Sequence, residues 1–235
     1  MKILCLTILF TISVGLHAQK PSIQTKQNDL MELIAKAEQK FNIPRNLLLS
    51  IACAESGRQT ADGSIQLHPF AIQSGGKSWF PDNKHQAIQI VKTLQRKRVA
   101  NIDVGCMQVN LMHHPQAFET LQQAFDPAHN IYYAAFFLHK LAERFQGNWL
   151  YAFPCYHSYT PSHQNTYRRK VLSFWKTLAN STALHTTNVT KLSTKQPEGV
   201  LDQRAQAVQR VLEQKQETNF FELSAENDSQ PLEAF

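Results

Sequence analysis

Apolar positions near the start of the chain fall at helical spacing. In NDLMELIAKAEQKF, Leu30, Leu33, Ile34, Ala37 and Phe41 recur every three to four residues. That predicts an amphipathic helix capped by Asn28 or Asp29. NIPRNLLLSIACAESG is richer in apolar residues, with Pro44 at a first helical position and Gly57 as a stop, so a second helix follows. The periodicity changes over residues 58–83. SIQLHPFAIQSGGKSWFPDN alternates in part and contains Gly75-Gly76, which predicts a small hairpin. Asp82 or Asn83 caps the next helical pattern, KHQAIQIVKTLQRKRV. NIDVGCMQVNL reads as a short loop or strand. Helices are expected over PQAFETLQQAF, over PAHNIYYAAFFLHKLAERF behind Asp126-Pro127, and over PSHQNTYRRKVLSFWKTLA behind Thr160-Pro161.

The two ends differ from this middle. Residues 1–18 carry Lys2 near their start, continue with a short apolar run and end at Ala18, the pattern of a secretory signal peptide. The run is shorter than the ~20 residues a spanning helix needs, which disfavours the alternative of an uncut membrane anchor. No later segment is long and apolar enough to span a membrane. Export to the periplasm is therefore expected. Residues 19–28 read as a lead-in, 29–179 as the folded domain and 180–235 as a tail. Residues 19–179 hold 18 basic against 10 acidic residues, net +8, whereas residues 180–235 hold 5 against 8, net −3. Ser, Thr, Gln, Asn and Glu dominate the tail, so it is expected to be mostly disordered.

Within the folded stretch, Glu55 stands near the end of the apolar run LLLSIACAESG. Burying an unpaired carboxylate is costly, and the usual escape is a raised pKa. A glutamate held neutral near neutral pH can donate a proton. Two more stretches stand out: DVGCMQVN (103–110) and PCYHSYTP (154–161).

Glu55-Ser56, then Gly105-Cys106-Met107-Gln108-Val109, then Asn130-Ile131, then Cys155-Tyr156-His157-Ser158 occur in that order over roughly residues 30–176. The set resembles the lysozyme-like lytic transglycosylases of the SLT-domain family, in particular the small periplasmic ones associated with secretion systems and cell-wall remodelling. The resemblance implies a mainly α, lysozyme-like (α+β) fold with a small β-hairpin subdomain and a groove for peptidoglycan glycan strands. It also implies cleavage of the MurNAc-GlcNAc β-1,4 bond without water. The C6 hydroxyl of MurNAc attacks its own anomeric carbon and forms a 1,6-anhydro ring, with Glu55 as acid and then base. A secretion or envelope-assembly complex, reached through the tail, is the further partner expected. Ser56, Gln108, Asn110, Tyr156 and His157 are the expected substrate-binding residues, with Tyr156 holding Glu55 or the sugar.

The chain departs from the family pattern at several points. Residues 58–102 include an insertion, Cys106 replaces Leu, His157 replaces Asn, and Phe137 stands where many members carry Tyr. The last two bear on contacts to the N-acetyl groups and leave the acid untouched. A hydrolase on the same fold is the nearest alternative and needs a second carboxylate. Asp29, Glu32 and Glu38 suit the surface of the first helix, Asp82 and Asp126 suit caps, and Glu119 and Glu143 sit in amphipathic helices, which leaves Asp62 and Asp103. A non-catalytic wall-binding or assembly protein is the other alternative. Cys53, Cys106 and Cys155 each lie within two residues of a motif position. Three buried thiols, or one disulfide such as Cys53–Cys155, are both open.

No cofactor is expected. His113 and His114 are adjacent, and neither His-Glu-x-x-His nor paired Cys-x-x-Cys spacing occurs, so no metal site is expected. QRKR and YRRK sit on helical patterns and read as solvated faces. In an exported protein they point to weak attraction toward wall carboxylates and not to nucleic acid.

Overall fold

A computed structural model describes residues 23–186. The expected signal peptide and the tail beyond Thr186 lie outside the described residues. Helix α1 (Ile23–Lys40) starts earlier than its pattern predicted, so Asn28 and Asp29 lie inside it and the expected lead-in is helical from Ile23. Gln27 accounts for part of this. Its Nε2 donates to Leu67 O at 2.7 Å and its Oε1 accepts from Leu67 N at 2.9 Å, tying the early turns to a distant strand.

Helix α2 (Leu47–Ser56) is enclosed by the rest of the domain: Leu47, Leu48, Ile51, Ala52, Cys53 and Ala54 are all buried. An apolar helix without a polar face belongs at the centre of a fold. Asn46 opens it with φ 65° and no side-chain cap. Glu38 supplies the cap from α1, accepting from Asn46 N at 2.9 Å and Leu49 N at 3.2 Å. Glu38 is therefore buried, and not on the surface of α1 as its spacing suggested, because it satisfies amides that a helix start leaves orphaned.

At the other end Gly57 is extended, and its need for glycine is spatial. A Cβ there would lie 2.4 Å from Cys53 O and 2.8 Å from Ile65 Cγ2. The chain runs directly into β1 (Gly57–Gln59), paired antiparallel with β2 (Ile65–Leu67). The predicted hairpin is β3 (Ile72–Ser74) and β4 (Lys77–Trp79), turning at Gly75 (φ 57°) and Gly76 (φ 75°). Positive φ at both central residues suits the twist of a two-residue hairpin. With β5 (Asp103–Val104) and β6 (Val109–Asn110) they form an antiparallel sheet in the order β4-β3-β5-β6. Helix α3 (Lys84–Arg96), capped by Asn83, packs Ala87, Ile88 and Val91 with Ile72, Ile102, Val104 and Phe125 in a core of their own.

The segment 115–125 yields only α4 (Leu121–Ala124), where Thr120 caps Gln123 N. Upstream, Asn110 Oδ1 accepts from Met112 N and His113 N and holds that stretch in turns. Helix α5 (Pro127–Arg144) opens on Asp126 and Pro127 as expected. Helix α6 (Trp149–His157), not foreseen, contains Pro154 in its interior. Helix α7 (Pro161–Thr186) continues past residue 179, where the domain was expected to end. Ile34, Leu48, Ile51, Ile131, Leu138, Phe153 and Val171 join α1, α2, α5, α6 and α7 in the main core. Cys53, Cys106 and Cys155 are all buried and free, so Cys53–Cys155 is not a disulfide.

Candidate active site

A groove of about 610 Å³ lies between the helices and the sheet. Glu55 lines it from the last turn of α2, Asp103 and Asn110 from the sheet, Gln108 from the turn between β5 and β6, and Tyr156 and His157 from the end of α6.

Glu55 is half-buried. Its outer part is within reach of a substrate and most of its surroundings are protein. Burial pushes the carboxyl from its ordinary 4.5 up to about 7. The Tyr167 hydroxyl donates to Glu55 Oε1 at 2.7 Å and opposes the rise, as does the charge of Lys170, while the Asp103 carboxylate adds to it. Lys170 Nζ donates to Ala54 O, so this amine is anchored on the backbone beside Glu55. A carboxyl balanced near neutral pH can give a proton and take one back.

The Gly-Cys-Met-Gln turn beneath the groove is clamped by Asn130, which is 1% exposed. Its Oδ1 accepts from Met107 N at 2.9 Å, and its Nδ2 donates to Val104 O at 3.0 Å and Ala124 O at 3.2 Å. Gly105 has φ 81°, and a Cβ on it would fall 2.3 Å from the Asn130 amide. Only glycine suits both the backbone angle and the space. This pairing is the physical content of the Gly-Cys-Met-Gln and Asn-Ile stretches: one cannot close without the other.

The expected sugar-binding residues divide. Gln108 lines the groove with φ 48°. Its Nε2 donates to Gly105 O at 2.8 Å and Ala71 O at 3.2 Å, which leaves Oε1 to accept from a substrate. Asn110 lines the groove too, but its amide is fully engaged. Nδ2 donates to Asn101 Oδ1 and, at 2.7 Å, to Asp103 Oδ1, and its Oδ1 holds the two turn amides. It orders Asp103 and the following turn.

Ser56, expected at the substrate, is 2% exposed and outside the groove lining. Its Oγ donates to Cys106 O at 2.8 Å, which fastens the end of α2 to the turn. Tyr156 lines the groove, but its hydroxyl donates to Met107 O at 2.8 Å. The contact expected of Tyr156 is made by Tyr167, because the packing of α7 on α2 brings that hydroxyl to Glu55. His157 stacks on the Tyr167 ring, centroids 4.7 Å apart and planes 8° from parallel.

Further residues were not foreseen. Tyr167 is buried and outside the groove lining, whereas His114, Tyr133 and Phe137 line it. His114 Nδ1 lies 2.9 Å from the Tyr133 hydroxyl, and its ring meets Phe137 edge-on at 4.6 Å. Burial lowers its pKa to about 4, so it is neutral. Asp103 is half-buried, and desolvation raises its carboxyl. Asp62 is far from this chemistry. It sits in the exposed β1–β2 turn, accepting from Ser64 N at 3.1 Å and bonded to the Thr60 and Ser64 hydroxyls. The signal that marks Tyr167 is its place on the apolar stripe Tyr167, Val171, Phe174 of α7, since a buried tyrosine hydroxyl needs a partner.

A helical body holding the Glu55 carboxyl over a groove, with a small antiparallel sheet on the other side, is the lysozyme-like arrangement. The chain matches the family model of the transglycosylase SLT domain over residues 32–171, more than half its length, and it belongs to that family of lytic transglycosylases acting on peptidoglycan. Comparison with curated proteins finds no match, and comparison with solved structures finds none. Among the described residues no helix is long and apolar enough to cross a membrane.

Proposed function

We propose that the protein cleaves the MurNAc-GlcNAc β-1,4 bond of peptidoglycan as a lytic transglycosylase, with Glu55 as the proton carrier. Glu55 first protonates the bridging oxygen as the bond from it to MurNAc C1 breaks and the ring takes on oxocarbenium character. The MurNAc C6 hydroxyl then bonds to C1. Its proton passes to the Glu55 carboxylate, which restores the acid. Water is neither consumed nor released, and the product ends in a 1,6-anhydro ring. Gln108 is placed to accept from the glycan, and Tyr167 to hold the carboxyl in both states.

The observation that carries this reading is the Glu55 carboxyl itself: held by Tyr167, facing the groove, and pushed up to about 7 by burial. We also propose export to the periplasm, where the substrate lies. Service to a secretion or envelope-assembly complex through the acidic tail is part of the same proposal.

A hydrolytic outcome has one observation in its favour, because Asp103 lines the same groove as Glu55. A carboxylate there suits the activation of a water. Mass spectrometry of products from purified peptidoglycan separates the two. Products lighter than hydrolytic ones by one water, absent with Glu55→Gln and still formed by Asp103→Asn, support transglycosylation. Hydrated products lost in both variants move the assignment to a hydrolase. Binding to the wall with no product from the wild type leaves the non-catalytic reading.

A further inference from the structure

The hairpin β3–β4 belongs to the stretch 58–102 that sets this chain apart from the family pattern, and it is built into the groove. Ala71, just before β3, is buried, and its carbonyl accepts from Gly105 N at 2.9 Å and from Gln108 Nε2 at 3.2 Å. The hairpin therefore holds the turn that carries Gln108. At the end of β3, Ser74 Oγ donates to Asn101 O at 2.6 Å. Along the strand Ile72 and Ser74 are buried, and Gln73 between them is exposed.

Gln73 lies opposite Asp103 across β3 and β5, and Asp103 lies opposite Asn110 across β5 and β6. Directly opposed residues share one face of a sheet, and all three line the groove. Ile72 and Val104, on the other face, are core. Strands lie about 4.8 Å apart, so Gln73 extends this polar row one strand beyond the Asp103 carboxylate, whose charge acts on Glu55.

The three side chains differ in what they can offer a ligand. Asn110 has both ends of its amide engaged. Asp103 accepts from Asn110 and, as an anion, has no donor. The Gln73 carboxamide has no hydrogen-bond partner among the described residues, so its NH2 and its oxygen are both open. It stands on a strand tied down at Ala71 and Ser74, and a group on a rigid element is placed more precisely than one on a loop. A planar carboxamide with donor and acceptor free matches another amide by two hydrogen bonds. Both sugars of peptidoglycan carry such a group, the 2-acetamido. We propose that Gln73 is a glycan-binding residue supplied by the inserted hairpin, and that its carboxamide pairs with the 2-acetamido group of a sugar bound alongside Asp103. This rests on the peptidoglycan reading of the groove and gives the insertion a part in it.

The test uses binding, so that it does not depend on turnover. Full-length Glu55→Gln protein, with and without Gln73→Ala, is sedimented with purified sacculi and with the same sacculi after an N-deacetylase. The readout is the loss caused by Gln73→Ala on each wall, so the charge that deacetylation introduces acts on both proteins alike. On acetylated sacculi the loss should be about threefold to tenfold, the scale of one or two hydrogen bonds. On deacetylated sacculi Gln73→Ala should cost nothing further. Gln73→Val, which suits a strand better than alanine and lacks the amide, should repeat the pattern. An equal loss on both walls, or no loss on either, overturns the proposal and leaves the peptidoglycan reading intact. Failure of the Glu55→Gln protein to sediment with any sacculi overturns both. A wild type that releases no product, beside a loss confined to acetylated sacculi, contradicts the catalytic reading and supports this one.

Discussion

The two ends of α2 each hold a carboxyl group, and the protein treats them in opposite ways. At the N-terminal end Glu38 accepts from two backbone amides and lies near Arg45. Those amides are the positive end of the helix dipole, so an anion is welcome. Burial still raises the Glu38 carboxyl, against the pull of those partners. At the C-terminal end Glu55 stands by the last carbonyls of the helix, where the dipole disfavours an anion. The one hydrogen bond acting on its titration comes from the Tyr167 hydroxyl, and the carboxyl rises to about 7. Backbone amides make a buried carboxyl structural. Their absence, together with an opening onto a groove, makes one chemical.

The comparison breaks first, and with the largest effect, on activity. Glu55→Gln keeps shape and hydrogen-bonding capacity but cannot carry a proton. Release of soluble fragments from peptidoglycan should fall by about 10²–10⁴, the usual contribution of a positioned acid or base. Glu38→Gln, measured in the same assay below its unfolding transition, should stay within a few-fold of the wild type. A comparable loss from both substitutions would erase the distinction.

Stability sharpens the same contrast. In the unfolded chain Glu55 ionises near 4.5, and in the fold near 7. Between those values the native state holds a proton that the unfolded state has released, so stability falls as pH rises through the window. The penalty is absent below about 4.5 and complete above about 7. Glu55→Gln carries no such penalty. It should stabilise the protein by up to about 3 kcal/mol at pH 8 and leave it little changed at pH 4. Urea unfolding at the two pH values measures this, and a gain of equal size at both would contradict the assignment of the shift to Glu55.

Glu38 should behave in the reverse sense. Glu38→Ala leaves the Asn46 and Leu49 amides without their acceptor at a buried helix start, at a cost of about 2 kcal/mol. A urea midpoint within experimental error of the wild type would show that the α2 cap lies elsewhere.

Why Glu55 could be read from the sequence while its surroundings could not has a physical basis. A carboxylate in an apolar helix end is a local anomaly. So are a cap followed by proline, which marks the starts of α5 and α7, and two adjacent glycines, which mark the β3–β4 turn. What the sequence hides is which polar groups are already engaged. Ser56 and Asn110 look like available donors, yet their partners, Cys106 O and the Asn101–Asp103 stretch, are contacts of the folded chain. Tyr156 and Tyr167 are alike as letters, and only the packing of α7 on α2, and of α6 on α5 and α7, decides whose hydroxyl reaches Glu55. Helix α6 is hidden by Pro154, a residue that reads as a breaker but is tolerated in the last turns of this short apolar helix. The early start of α1 is likewise non-local, since Gln27 is held by Leu67.

The smallest expected effect probes the group that sets the difference between the two carboxyls. The Tyr167 hydroxyl stabilises the Glu55 anion, so without it the carboxyl titrates higher than about 7. Catalysis begins from the protonated acid, and the alkaline limb of the rate profile therefore follows this pKa. Tyr167→Phe should move that limb upward by up to about one pH unit. The pH-independent rate should drop as well, because the carboxyl loses the contact that orients it. A residue needed only for packing would lower the amount of folded protein and leave the limb in place. A limb that moves up while the protein remains folded assigns Tyr167 to positioning Glu55. A limb that stays fixed removes Tyr167 from the tuning and leaves burial to account for the shift.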